Sequence, residues 1–147
     1  MKSQFTKCLS DGSFEYLEIK HPNFTAKISL FGGQLLSYMP TGQQDDVLWL
    51  STLACLDGNK PIRGGVPLCW PWFGPPSDQN VGEPQHGYIR GCHWSVESLK
   101  ESTAGVEIEL QPLLPVTLAE QIGLECRVVY CIEDTLRMTL ITHNPSR

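Results

Sequence analysis

From residue 14 onward the chain alternates apolar and polar positions in short runs, the period of extended strands rather than helices. Phe24, Ala26, Ile28 and Leu30 fall on one face of such a run. Val106, Ile108 and Leu110 do the same, with Glu107 and Glu109 turned outward. Over residues 14–20 the apolar positions are Phe14, Tyr16, Leu17 and Ile19. Over 93–99, Trp94, Val96 and Ser98 oppose Ser95, Glu97 and Leu99. Shorter apolar runs cover 34–39 and 47–50, and two longer ones, 124–132 and 135–142, flank a tight turn at Glu133-Asp134. Helix signals are scarce. About eight short strands separated by turn residues predict an all-β chain folded as an antiparallel β-sandwich. Trp49 and Trp94 sit inside strand patterns and are expected in the core. Glu97, Glu101, Glu107 and Glu109 read as a solvated strand face.

Residues 52–91 break the pattern. They are rich in Pro and Gly and nearly free of alternation. A connection this long is either functional or disordered, and Trp70, Trp72, Phe73 and Tyr88 argue against disorder. Within it stand Lys60-Pro61-Ile62-Arg63-Gly64-Gly65-Val66-Pro67, then Trp70-Pro71-Trp72-Phe73-Gly74, then Gln85-His86-Gly87-Tyr88-Ile89-Arg90-Gly91. Glycine allows close backbone approach, proline stiffens a loop, and tryptophan offers a flat face suited to a sugar ring. Arginine supplies a planar fork of donors matched to phosphate or carboxylate. The segment therefore reads as one wall of a pocket for a small, anionic, hydroxyl-rich ligand, with the guanidinium groups of Arg63 and Arg90 converging on it. Taken singly, Arg90 could equally serve a structural ion pair, and Trp70 and Trp72 could be core alone.

Composition narrows the classes. The chain has 147 residues, of which 41% are apolar, enough for one domain spanning 1–147 with a real core. A formal charge of −5 with no basic run argues against nucleic acid as a partner. No apolar stretch approaches a membrane span, and the first residues lack the apolar centre of a signal peptide. The expected location is cytoplasmic, and the six cysteines are expected as reduced thiols. Cys92, His93 and His86 make only a weak zinc pattern, having no second spaced pair.

The three blocks, in that order and spacing, together with Phe31-Gly32-Gly33-Gln34-Leu35-Leu36-Ser37 and Val47-Leu48-Trp49-Leu50-Ser51, resemble the hexose-6-phosphate mutarotases. These are the glucose-6-phosphate 1-epimerase branch of the aldose 1-epimerase superfamily. The resemblance implies the N-terminal half of a β-sandwich of the galactose-mutarotase type. It implies interconversion of the α and β anomers of a hexose 6-phosphate. A general base deprotonates the anomeric hydroxyl and a general acid protonates the ring oxygen, with no metal or organic cofactor. Carried over by position, Arg63 looks like a substrate contact, most plausibly on the phosphate. Gln85 and Arg90 match further binding positions, and His86 matches a histidine that orients the sugar. The family's acid histidine, sugar-binding aspartate and base glutamate have no counterpart here, and His143 precedes the motif of the first. No acid or base is assigned, and the chain alone is expected to be weak or inactive. The alternative is a module that binds a carbohydrate or sugar phosphate without turnover.

Overall fold

The computed structural model describes residues 3–77 and 82–145. Eight strands form two four-stranded antiparallel sheets. The first sheet orders β1 (Thr6–Asp11), β2 (Phe14–His21), β3 (Phe24–Ser29) and β4 (Leu35–Pro40) side by side. The second does the same with β5 (Trp94–Glu101), β6 (Val106–Pro112), β7 (Glu125–Ile132) and β8 (Leu136–His143). Each sheet is a meander because strands consecutive in sequence are neighbours in it. The turn around Glu133-Asp134 closes the β7–β8 hairpin, with Ile132 opposite Leu136.

The inner faces of the two sheets make one core. Leu17, Ile19 and Ile28 of the first meet Ile108, Val128 and Tyr130 of the second in one buried cluster. Each such aliphatic contributes about 1.5–3 kcal/mol by leaving water. The sheets are stitched where β3 leads into β4. Trp94 N–H donates to Leu30 O at 2.7 Å, and Gly32 N–H to Cys92 O at 2.8 Å. The buried Tyr130 hydroxyl crosses the core to donate to Gly33 O. A second, smaller cluster of Phe14, Leu36 and Ile62 lies on the opposite face of the first sheet, where the segment after β4 folds back over it.

Four details differ from the pattern reading. The polar strand β1 is not legible by alternation because only Thr6 in it is buried; pairing with β2 makes it a strand. Residues 47–50 form no strand, only a bridge between Leu50 and Gly64, and Trp49 is 65% exposed rather than core. In β5 the register slips between Val96 and Ser98. The bulge reverses the faces beyond it, so Leu99 packs on the core, while Val96, at the bulge itself, is exposed. A short helix, α1 (Val116–Ile122), lies between β6 and β7, bracketed by Pro115 and by a left-handed Gly123 whose N–H returns to Ala119 O. Among the described residues no helix is long and apolar enough to cross a membrane.

Glu101 departs from the solvated acidic face. Its carboxylate accepts from the Phe5 and Thr6 amides at 3.1 and 2.8 Å and from the Ser3 hydroxyl at 2.8 Å, tying down the chain start. Burial works against the charge, but hydrogen bonds from Thr6, Gln4, Ser3 and Phe5 outweigh it and hold the carboxyl down at about 2, against an ordinary 4.5. A depressed folded-state pKa gives stability that is complete above the unfolded value and lost as pH falls through the folded one. Melting measured from pH 6 to pH 2 should therefore fall more steeply between pH 4.5 and 2 in the wild type than in Glu101→Gln. Parallel curves would show that the carboxylate contributes nothing.

Candidate functional site

The long segment between β4 and β5 is held in place by backbone pairing, although its described residues contain no strand. Val66 N–H donates to Leu35 O at 2.8 Å, Gly65 N–H to Trp49 O at 2.7 Å and Ser51 N–H to Arg63 O at 3.1 Å. The approach is too close for a side chain: a Cβ on Gly65 would stand 2.3 Å from Leu35 O. Gln34, only 1% exposed, donates its amide to Gly64 O and to Ile62 O, the latter at 3.3 Å. These bonds fix the stretch that carries Arg63. Gln34→Leu keeps the volume and strands both carbonyls, a cost of about 1–3 kcal/mol in chemical denaturation. A loss below about 0.5 kcal/mol would contradict that pinning role.

Farther on, buried Trp70 donates its indole N–H to Thr142 Oγ1 of β8 at 2.9 Å and bridges to Gly87. Tyr88 N–H donates to Trp70 O at 2.9 Å. His86 is held twice by one residue: its N–H donates to Gly74 O at 2.8 Å, and its Nδ1 accepts from Gly74 N–H at 3.1 Å. Because a backbone N–H can only donate, the neutral imidazole carries its proton on Nε2. Phe73 packs edge-on to the His86 ring at 4.8 Å, and Trp72 to Tyr88 at 5.1 Å. The His86 backbone has φ 66, and it is the only non-glycine described residue in the left-handed region.

Gln85, His86 and Arg90 line one cavity of about 500 Å³, walled by Pro61, Tyr88 and Leu118 among others. Arg90 is the middle residue of the 3₁₀ turn Ile89–Gly91 and is half-buried. Its Nε is shielded from solvent and has no hydrogen-bond partner. No carboxylate pairs with it among the described residues. A buried guanidinium nitrogen without a partner is uncommon in a folded core. Arg63 is not part of this lining, although Pro61, two residues earlier, is. The exposed Arg63 guanidinium lies over the Trp49 ring, 5.9 Å from its centroid. Of the four residues singled out by sequence, three therefore share one hollow and Arg63 stands apart from it.

Burial pushes the Cys92 thiol, also in the lining, up to about 12, which favours the neutral thiol over the thiolate at neutral pH. Among the described residues no group of three or more His, Cys, Asp or Glu side chains is placed to hold a metal. A second hollow of about 400 Å³ lies on the β5–β8 sheet and is lined by Glu97, Glu109 and Glu125 with Arg127 and His143. Its carboxylates would repel a phosphate dianion. Pattern reading missed two parts of the site. Gln34 stands in the 31–37 stretch with nothing in the sequence to mark its role, and the wall at the start of α1 (Leu114, Pro115, Leu118) has only a Pro…Gly bracket as signal.

The sequence pattern of the aldose 1-epimerase family matches residues 15–147. A protein of Escherichia coli named "Putative glucose-6-phosphate 1-epimerase" is 40% identical over 97 residues, 66% of this chain and 32% of that one. A Salmonella typhimurium protein of the same name is 38% identical over 111 residues, 74% of this chain and 37% of that one. Among solved structures, a "putative mutarotase" of Salmonella typhimurium superposes with a TM-score of 0.86 at 28% identity, covering 97% of this chain and 48% of that chain. The HI1317 structure gives 0.80 at 32% identity, covering 95% and 48%. The chain thus spans about half the length of the solved structures and about a third of these curated relatives. With two meander sheets packed face to face and a family pattern running from residue 15 to residue 147, this chain belongs to the aldose 1-epimerase family.

Proposed function

We propose that this chain provides substrate-binding residues for the interconversion of α and β anomers of a hexose 6-phosphate, glucose 6-phosphate being the representative. The observation that carries the reading is the shared cavity of Gln85, His86 and Arg90, the last with no carboxylate partner among the described residues. The chemistry of the three is complementary to such a ligand. Gln85 can donate to and accept from a hydroxyl. His86, with Nδ1 engaged by Gly74, presents Nε2–H as a donor to a sugar oxygen. Arg90 offers charge-assisted bonds to an anionic oxygen. Arg63, beyond Pro61, is the outer anion contact. Nonpolar wall atoms of Pro61 and Leu118 suit the C–H face of a pyranose.

Anomerisation needs two proton transfers, to the ring oxygen and from the anomeric hydroxyl. The cavity lining has no carboxylate among the described residues. That favours, for this chain taken alone, binding with little or no turnover, and it keeps the reading of a non-catalytic sugar-phosphate module in view. Anomer-resolved exchange NMR on glucose 6-phosphate separates the two. Exchange no faster than buffer, together with saturable binding, is the expected result. Exchange at an enzyme-like turnover, which runs roughly 1–10³ s⁻¹, would place a proton-transfer pair within these residues and contradict the assignment of binding roles alone.

A further inference from the structure

We propose that Trp49 is a positioning residue for Arg63, an aromatic platform that presents the guanidinium edge to the phosphate of the ligand. This rests on the binding role just given to Arg63. An indole 65% exposed contributes little to a core, so burial does not explain its place. Instead the Arg63 guanidinium lies over it, with its carbon 5.9 Å from the ring centroid, within cation–π range.

The backbone fixes that pairing. Leu50 and Gly64 form a bridge, flanked by Gly65 N–H to Trp49 O at 2.7 Å and Ser51 N–H to Arg63 O at 3.1 Å. Trp49 thus stands opposite residue 65 and Arg63 opposite residue 51, which makes 49 and 63 diagonal neighbours on one face of a short ladder, within reach of two long side chains. Gly64 lets the two segments approach: a Cβ there would lie 2.6 Å from both Leu50 Cα and Trp49 O. A carboxylate partner would also restrain Arg63, but it would use the N–H donors and cancel the charge. The ring does neither. A cation–π contact uses no N–H donor and leaves the guanidinium's hydrogen-bonding edge free for oxygen ligands. Among the described residues Arg63 has no ion-pair partner, as that arrangement requires.

The test is a double-mutant cycle read by titration of the 147-residue chain with glucose 6-phosphate, glucose serving as the uncharged control. Trp49→Ala should weaken glucose 6-phosphate binding about two- to five-fold, the range of an exposed cation–π contact. Trp49→Phe should retain most of the affinity, and glucose binding should not move. In an Arg63→Ala background, Trp49→Ala should have no further effect. Loss in Trp49→Ala that persists in that background, or that is equal for glucose, would overturn the proposal. If Arg63→Ala leaves glucose 6-phosphate affinity intact while Arg90→Ala lowers it, the cavity reading stands and the Trp49 role fails. If neither arginine matters, both fail together. Melting of Trp49→Phe and Trp49→Ala within a few degrees of wild type, as the exposure of the ring demands, keeps the comparison between folded proteins.

Discussion

Gly87→Ala is expected to be the most damaging single substitution in the site segment. Gly87 has φ 74, and a Cβ there would lie 1.9 Å from the carbonyl oxygen of Trp70. The obstacle is backbone, and that backbone is itself held, because Trp70 O accepts from Tyr88 N–H at 2.9 Å and the Trp70 indole is bonded to β8. Neither partner can yield without breaking the bridge. The expected loss is about 3 kcal/mol or more, a drop of roughly 10 °C in melting temperature for a chain of this size. Because His86 and Gln85 precede the displaced residue directly, ligand binding should vanish even in the folded fraction. Gly74→Ala is the control. Its φ is 88, yet nothing lies within 4 Å of the added carbon, so the cost should be confined to the backbone conformation, about 1 kcal/mol. Equal losses in the two variants would mean that the close approach at Trp70 is not what constrains the loop.

Arg90→Ala should separate binding from stability. The guanidinium has no carboxylate partner among the described residues, and its Nε is shielded and unsatisfied. Removing it therefore breaks no internal bond, and the melting temperature should stay level or rise slightly. Glucose 6-phosphate affinity should fall about ten- to hundred-fold, the worth of one or two charge-assisted hydrogen bonds in a partly desolvated site. Glucose affinity should change by less than about three-fold, since a neutral hydroxyl gains less from the charge. Arg90→Lys should restore charge without restoring the planar fork, and so recover only part of the affinity. A fall in melting temperature with unchanged ligand affinity would instead identify Arg90 as a structural residue.

Alternation revealed the inner faces well where strands have two unlike sides. Phe24, Ala26, Ile28 and Leu30 are all buried, as are Val106, Ile108 and Leu110 between half-exposed glutamates. It failed where a tertiary contact decides. Thr6–Asp11 is a strand because β2 offers a free edge, not because its own residues alternate. Trp49 lies outside the core because it and Leu50 pair with Gly65 and Gly64 instead of joining a sheet. The bulge in β5 moves Leu99 to the core with no local mark in the sequence. In the site, the grouping of Gln85, His86 and Arg90 could be anticipated, being within six residues of one another. The separation of Arg63 from their cavity could not, since it depends on how two loops pack. Nor could the contribution of Leu114, Pro115 and Leu118, which come from the far side of β6.

The most direct measurement is a ¹⁵N-resolved NMR titration with glucose 6-phosphate, following backbone and arginine side-chain signals. Saturable shifts should concentrate at Gln85, His86, Gly87 and Arg90 Nε, with smaller ones at Arg63, and Glu109 and Glu125 of the acidic hollow should stay still. Shifts centred on that second hollow, or none at ligand concentrations well into the millimolar range, would contradict the assignment of the cavity beside Arg90 as the sugar-phosphate site.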